Sequence, residues 1–152
     1  MSRYYLDSSV LLYRYFYTAP TEPPERERTD KLVAFATQAV CGKPPVAVSS
    51  LALLEARGVL SLRSRSFPQL KTALDMLDVD EAGLEVWIPN QQDWSRAMEI
   101  ATVNALRGAD SLQVAVFIRA REKHNDLALA TSDHRMIRAC KELSLNHLDP
   151  GI

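Results

Sequence analysis

Asp7, Glu55, Asp110 and Asp133 each fall where an apolar, strand-like run or a small-residue turn gives way to a helical pattern. Asp7 closes Tyr4-Tyr5-Leu6 and precedes Ser8-Ser9, while Asp133 closes Leu127-Ala128-Leu129-Ala130-Thr131-Ser132. Asp110 opens a helix after Leu106-Arg107-Gly108, and Glu55 follows Val46-Ala47-Val48-Ser49-Ser50 in the first turns of an apolar helix. In an open parallel sheet, ligands bind outside the carboxyl ends of the strands, so acids this far apart in sequence can meet there. Carboxylates gathered without basic partners repel one another, and a divalent cation bound through oxygen is the usual relief. The chemistry such a cluster supports is hydrolysis of a phosphodiester by a water whose pKa the cation lowers.

Each acid also has a plainer reading. Asp7 and Asp133 could serve only as helix caps, and Asp110 as a charge favoured by the helix dipole. The dipole favours each singly but does not neutralise a group of them. Glu55 could be an exposed helix residue paired with Arg57 or Arg63. These stand two and eight residues away, however, rather than the three or four at which helical side chains meet. Ser9 and Thr131 lie beside two of the acids, with hydroxyls suited to supporting a ligand, holding a metal-bound water or touching a phosphate oxygen.

The elements that would carry these residues alternate. Short apolar strands are predicted before Asp7, at Val46–Val48, Leu84–Ile88 and Leu127–Ala130, with a last one within Leu145–Leu148. Helical spacing follows Ser8-Ser9 and recurs from Asp30 to Gly42, after a cap at Ser49 or Ser50, and from Phe67 to about Asp80. It recurs again over Asp93–Asn104, Ala109–Lys123 and Asp133–Leu143. Thr18–Thr29, with Pro20, Pro23, Pro24 and alternating Glu and Arg, reads as a solvated, mobile connection. The fold class is α/β: a single three-layer α/β/α domain over residues 1–152, with a central parallel sheet of four or five strands.

The hydrophobic content of 47% is ordinary for a globular chain, and no apolar run reaches membrane-spanning length. Arg3 and Asp7 fall within what would have to be a signal sequence, so a cytoplasmic protein without membrane contact is expected. The formal net charge of -1 removes the global basic footprint of many nucleic-acid binders, so any such contact must be local. Thirteen of the eighteen Lys+Arg residues are Arg, whose planar fork suits phosphate contact and carboxylate pairing alike. Arg14, Arg57, Arg107 and Arg135 are the candidates to line a groove. Cys41 and Cys140 lack metal-type spacing and read as reduced, small apolar side chains. His124, His134 and His147 show no ligand spacing and read as surface or strand-edge residues.

Tyr5-Leu6-Asp7-Ser8-Ser9-Val10-Leu11, the mid-helix Glu55, Leu106-Arg107-Gly108-Ala109-Asp110-Ser111-Leu112 and Leu129-Ala130-Thr131-Ser132-Asp133-His134-Arg135-Met136 together resemble a PIN domain over nearly the whole chain. The short form, with Leu148-Asp149-Pro150 after its final strand, looks most like the VapC-type toxins of toxin–antitoxin pairs. The resemblance implies an endoribonuclease in which Asp7, Glu55, Asp110 and Asp133 bind Mg²⁺, or Mn²⁺ in its place, and cleave RNA. It also implies a homodimer and a cognate antitoxin whose carboxyl-terminal segment covers the site. The low net charge favours a single-stranded RNA substrate in a local groove.

Tyr13, Tyr15, Phe16 and Tyr17, with Leu53 and Leu54, could form the antitoxin groove, although core packing explains them as well. Two features depart from the family pattern. The Pro/Glu/Arg-rich stretch is longer than the usual connection, and Gln113 stands where a histidine is often found. Three rivals remain: a housekeeping PIN nuclease of RNA processing, a haloacid dehalogenase-type phosphatase, and a non-catalytic binding module that holds metal for structure. The phosphatase requires a second acid two positions after the first aspartate, where this chain has Ser9.

Overall fold

Alternating side chains on the first strand divide the molecule into layers, because successive residues of a strand point to opposite faces of a sheet. The structure, a computed structural model, describes residues 2–152. β1 (Arg3–Leu6) leads into the one-turn α1 (Ser8–Leu11), a 3₁₀ turn (Leu12–Arg14), α2 (Pro23–Cys41), β2 (Ala47–Ser49), α3 (Ser50–Arg63) and α4 (Phe67–Glu81). Then come β3 (Glu85–Trp87), α5 (Gln91–Val103), α6 (Gly108–Lys123), β4 (Leu127–Ala130), α7 (His134–Glu142) and β5 (His147–Leu148). Tyr5 packs with residues of α5, α6 and α7 on one face of the sheet. Leu6 packs with residues of α1, α2, α3 and α4 on the other.

The sheet is five-stranded and parallel throughout, in the order β3-β2-β1-β4-β5. From β1 the chain steps outwards to β2 and β3, then returns to lay β4 on the opposite side of β1. That reversal opens a crevice between the connections leaving β1 and β4, the position at which open α/β sheets place their ligands. The register pairs Leu6 with Ala130. Asp7 and Thr131, the next residue on each strand, are therefore neighbours despite their separation in sequence.

Local signals account for most boundaries. The Ser49 hydroxyl accepts the Ala52 amide at 3.0 Å and caps α3, so one short strand passes directly into the helix that carries Glu55. Asn90 and Asp93 form a reciprocal capping box at the start of α5. α2 closes at Gly42, where a Cβ would meet the Gln38 carbonyl oxygen at 2.6 Å. Ala105, with φ of 50°, turns the chain out of α5 so that α6 begins with Asp110 in its first turn.

One expectation needs correction. The stretch read as a solvated connection is helical from Pro23 onwards. Proline is tolerated in a first helical turn, where its missing N–H has no partner to lose, and Glu and Arg are good helix formers. Only Thr18–Glu22 of that stretch lies outside helix. The last strand is two residues, His147–Leu148, inside the Leu145–Leu148 run where it was expected. Cys41 is exposed and Cys140 buried, and both are free thiols, in line with the reduced state expected. Of the two readings offered for it, His124 takes the strand-edge one: its ring meets both oxygens of Glu85 at 3.0 Å, and Arg3 also approaches it.

Candidate functional site

The pairing of β1 with β4 continues one residue past the strands, where the Asp7 N–H donates to the Ala130 carbonyl at 3.1 Å. Asp7 stands at the entry to α1, but its side chain makes no capping hydrogen bond. Instead its Oδ2 accepts two hydroxyls, from Ser9 Oγ at 2.7 Å and from Thr131 Oγ1 at 3.0 Å. Each hydroxyl is oriented in turn by an amide: Ser132 N–H donates to Ser9 Oγ at 3.2 Å and Asp133 N–H to Thr131 Oγ1 at 3.1 Å. With its lone pairs engaged from behind, each hydroxyl directs its own hydrogen at the carboxylate.

Asp7, Glu55, Asp110 and Asp133 all line one cavity of about 510 Å³. They reach it from different elements: the end of β1, the second turn of α3, the first turn of α6 and the junction of β4 with α7. Asp133 also caps its own helix, with Oδ1 accepting the Arg135 N–H at 2.8 Å, so its plainer reading holds alongside its place in the cavity. Ser8, Ser9 and Ser132 complete the polar wall, and Leu12, Tyr13, Phe16 and Tyr17 form an apolar one. A smaller cavity of about 260 Å³ around Arg3, Phe35 and Lys43 holds no carboxylate.

The electrostatics show that these acids share a field. Burial pushes the Asp7 carboxyl above the ordinary carboxylate range, against the opposing pull of the Ser9 and Thr131 hydroxyls. Glu55 is raised by burial and by the Asp7 charge, while its hydrogen bond from Gln113 works the other way. Asp110 is pushed up to about 6, first by burial and then by Asp7, Asp133 and Glu55; Arg107 opposes this and does not win. No salt bridge among the described residues neutralises any of the four.

That imbalance, together with a donor set made only of carboxylate and hydroxyl oxygens, fits a hard divalent cation such as Mg²⁺ or Mn²⁺. Among the described residues no three acidic, histidine or cysteine side chains stand close enough to hold one ion together. The carboxylates thus face one cavity without forming a coordination sphere. The fit to a cation lies in donor chemistry and uncompensated charge.

The expected groove arginines divide. Arg107 lines the cavity. Arg14 Nε donates to Asp80 at 3.3 Å, and Arg57 is held by Asp78 at 3.0 Å and Glu81 at 2.7 Å, so both are committed to other carboxylates. Arg135 does not line the cavity, whereas Arg63, expected only as a partner for Glu55, does. Of the expected aromatic groove, Tyr13, Phe16 and Tyr17 face the cavity, but Tyr15 turns its hydroxyl to Asp80 at 2.9 Å. Leu53 is core, and Leu54 is 67% exposed.

Gln113 and Ser49 complete the surroundings of Glu55, and neither stood out as part of the site by residue type. Gln113 Nε2 donates to Glu55 Oε1 at 3.1 Å, and its Oε1 accepts Ser49 Oγ at 2.6 Å. The available signal was spacing: Gln113 lies three residues after Asp110, at the separation that brings helical side chains to one side, within the apolar run Leu112–Ile118.

Residues 4–142 match the family model of the PIN domain. No curated protein matches the chain. Among solved structures, FitAcB from Neisseria gonorrhoeae superposes with a TM-score of 0.68 at 14% identity, over 97% of each chain. VapBC from Salmonella typhimurium, solved with bound DNA, gives 0.59 at 16% identity over 99% of each. VapBC2 from Rickettsia felis, bound to a DNA fragment from its promoter, gives 0.59 at 17% identity, over 95% of this chain and 96% of that one. At such identities the likeness is one of fold.

Proposed function

The chain belongs to the PIN domain family, whose members are in general nucleases, and from that premise we propose that it is a Mg²⁺-dependent endoribonuclease acting as the toxin of a toxin–antitoxin pair. The observation that supports this most is the convergence of four acids from distant parts of the chain into one cavity, where burial and then the charges of the other three raise the pKa of Asp110. In this reading Asp7, Glu55, Asp110 and Asp133 are the cation ligands. Mg²⁺, with Mn²⁺ as a substitute, would lower the pKa of the attacking water and stabilise the leaving oxygen. Ser9 and Thr131 hold the Asp7 carboxylate from one side and keep its orientation fixed. Arg63 and Arg107, which line the same cavity, are the residues suited to contact the substrate's phosphates.

The apolar wall of Leu12, Tyr13, Phe16 and Tyr17 supports a second part of the reading, an amphipathic antitoxin segment lying over the acids. The substrate is single-stranded RNA, since an overall charge of -1 limits basic contact to the cavity rim. Among the described residues no helix is long and apolar enough to cross a membrane, and a cytoplasmic site of action belongs to the same reading. So does a homodimer, for which Trp94 and Met98, one turn apart on α5 and 54% and 64% exposed, offer apolar surface. Light scattering on the purified chain should return twice the monomer mass.

The test of the activity is cleavage of a fluorescent single-stranded RNA during titration with Mg²⁺ or Mn²⁺. Cleavage should need the cation, stop with EDTA, and be absent from an equally loaded single-stranded DNA. If a cation binds in the cavity and no RNA, DNA or phosphate ester is cut, the enzymatic reading is wrong. Growth arrest on expression, relieved by the product of a neighbouring reading frame, separates a toxin from a housekeeping nuclease. Arg63→Ala together with Arg107→Ala should weaken RNA binding by about 10-fold and flatten its salt dependence, as loss of phosphate contacts does. Fluorescence anisotropy across salt concentrations would register both changes.

A further inference from the structure

Gln113 is fully buried, a polar side chain in the apolar α6 run from Leu112 to Phe117. Its amide is used at both ends. Oε1 accepts from Ser49 Oγ at 2.6 Å and from the Tyr5 hydroxyl at 3.2 Å, while Nε2 donates to Glu55 Oε1 at 3.1 Å. Only one orientation of the amide is consistent with this geometry. Turned over, it would set its carbonyl oxygen against a Glu55 carboxylate oxygen at that distance, an uncompensated repulsion in a half-buried place.

The two donors behind Gln113 are themselves fixed. Ser49 Oγ accepts the Ala52 amide as the cap of α3, which leaves its hydrogen free to point at Gln113. Tyr5 is fully buried on β1, with its ring against Phe117 at a centroid distance of 5.5 Å. A chain of side-chain hydrogen bonds therefore runs from β1 and β2, through α6, to a carboxylate on α3. Glu55 has a long side chain on a helix face that opens to the cavity, and Gln113 is its only side-chain hydrogen-bond partner among the described residues.

We propose that Gln113, anchored by Tyr5 and Ser49, is a positioning residue that holds one Glu55 oxygen so that the other is presented to the cation. This rests on Glu55 being a cation ligand. Partners of this kind, one shell behind a ligand, are worth about 10- to 100-fold in metal affinity or activity. Gln113→Met keeps the side chain's length while removing both its donor and its acceptor.

Calorimetric titration of the metal-free full chain with Mn²⁺, alongside thermal melting, tests the proposal. Glu55→Gln should weaken Mn²⁺ binding. Gln113→Met should weaken it by about 10-fold, and should add no further loss when placed in the Glu55→Gln protein. Tyr5→Phe, which removes one anchoring hydroxyl and keeps the packed ring, should weaken binding by a smaller factor, and it serves if Gln113→Met does not fold. Wild-type Mn²⁺ affinity in both Gln113→Met and Tyr5→Phe, with Glu55→Gln impaired, would overturn the positioning role and leave the cation site standing. The same loss from Gln113→Met with and without Glu55 would also overturn it, by showing a general structural defect. Unchanged Mn²⁺ affinity in Glu55→Gln would remove Glu55 as a ligand, and the positioning role with it.

Discussion

Asp7→Asn is expected to cut cation-dependent RNA cleavage by at least about 100-fold, the scale of losing a preorganised charge at a reacting centre, and at the same time to raise the melting temperature of the metal-free protein. Both effects come from one side chain. Asp7 is 3% exposed, and burial holds its carboxyl above the ordinary range even though two hydroxyls stabilise the charged form. The folded state therefore keeps a proton to higher pH than the unfolded chain, and stability is lost as the pH rises through that interval. With no cation bound, the charged form of Asp7 is a net cost to the folded state. Asparagine retains an oxygen for Ser9 and Thr131 and removes the charge. A higher Tm for the metal-free protein should follow. Melting curves in EDTA at neutral pH would show it; a Tm equal to or below wild type would mean that Asp7 is not the strained charge inferred here.

Asp110→Asn should likewise abolish cleavage with the fold intact, and it should also change how the metal-free protein responds to pH. The Asp110 carboxyl moves from its ordinary 3.8 to about 6, by burial and by the charges of Asp7, Asp133 and Glu55. Its pKa is raised on folding, so its contribution to stability is complete below 3.8 and is lost as the pH rises to about 6. In EDTA the wild-type Tm should fall across that window, and the Asp110→Asn protein should show a shallower fall. Added Mn²⁺ should raise the wild-type Tm most above pH 6, because a cation competes with protons for the same oxygens. Cleavage by the wild type should climb over the same range. Differential scanning fluorimetry with and without Mn²⁺, repeated on both proteins, would check each part; full activity in Asp110→Asn would remove it from the ligand set.

The order of strands and helices was legible because short β-rich runs and helical spacing alternate cleanly, and Ser49, Phe67-Pro68 and Gly42 mark boundaries by known local chemistry. The acids stood out for a related reason: three follow a strand or a small-residue turn, and the fourth interrupts an apolar helix. What stayed hidden depends on contacts across the chain. Arg14 and Arg57 looked available for a substrate until Asp80, Asp78 and Glu81 came to meet them from α4. Gln113 reads as one polar residue in an apolar stretch until β1 and β2 deliver Tyr5 and Ser49 to its carbonyl. Prolines misplaced the start of α2, since the same residues that break a helix inside also begin one.

Anomalous diffraction from crystals soaked in MnCl₂ tests the convergence of the acids most directly. A peak is expected inside the cavity of about 510 Å³, with oxygens of Asp7 and Asp110 among its ligands at roughly 2.0–2.3 Å. A saturating soak that leaves the cavity without a peak, or places Mn²⁺ only elsewhere on the surface, would contradict it.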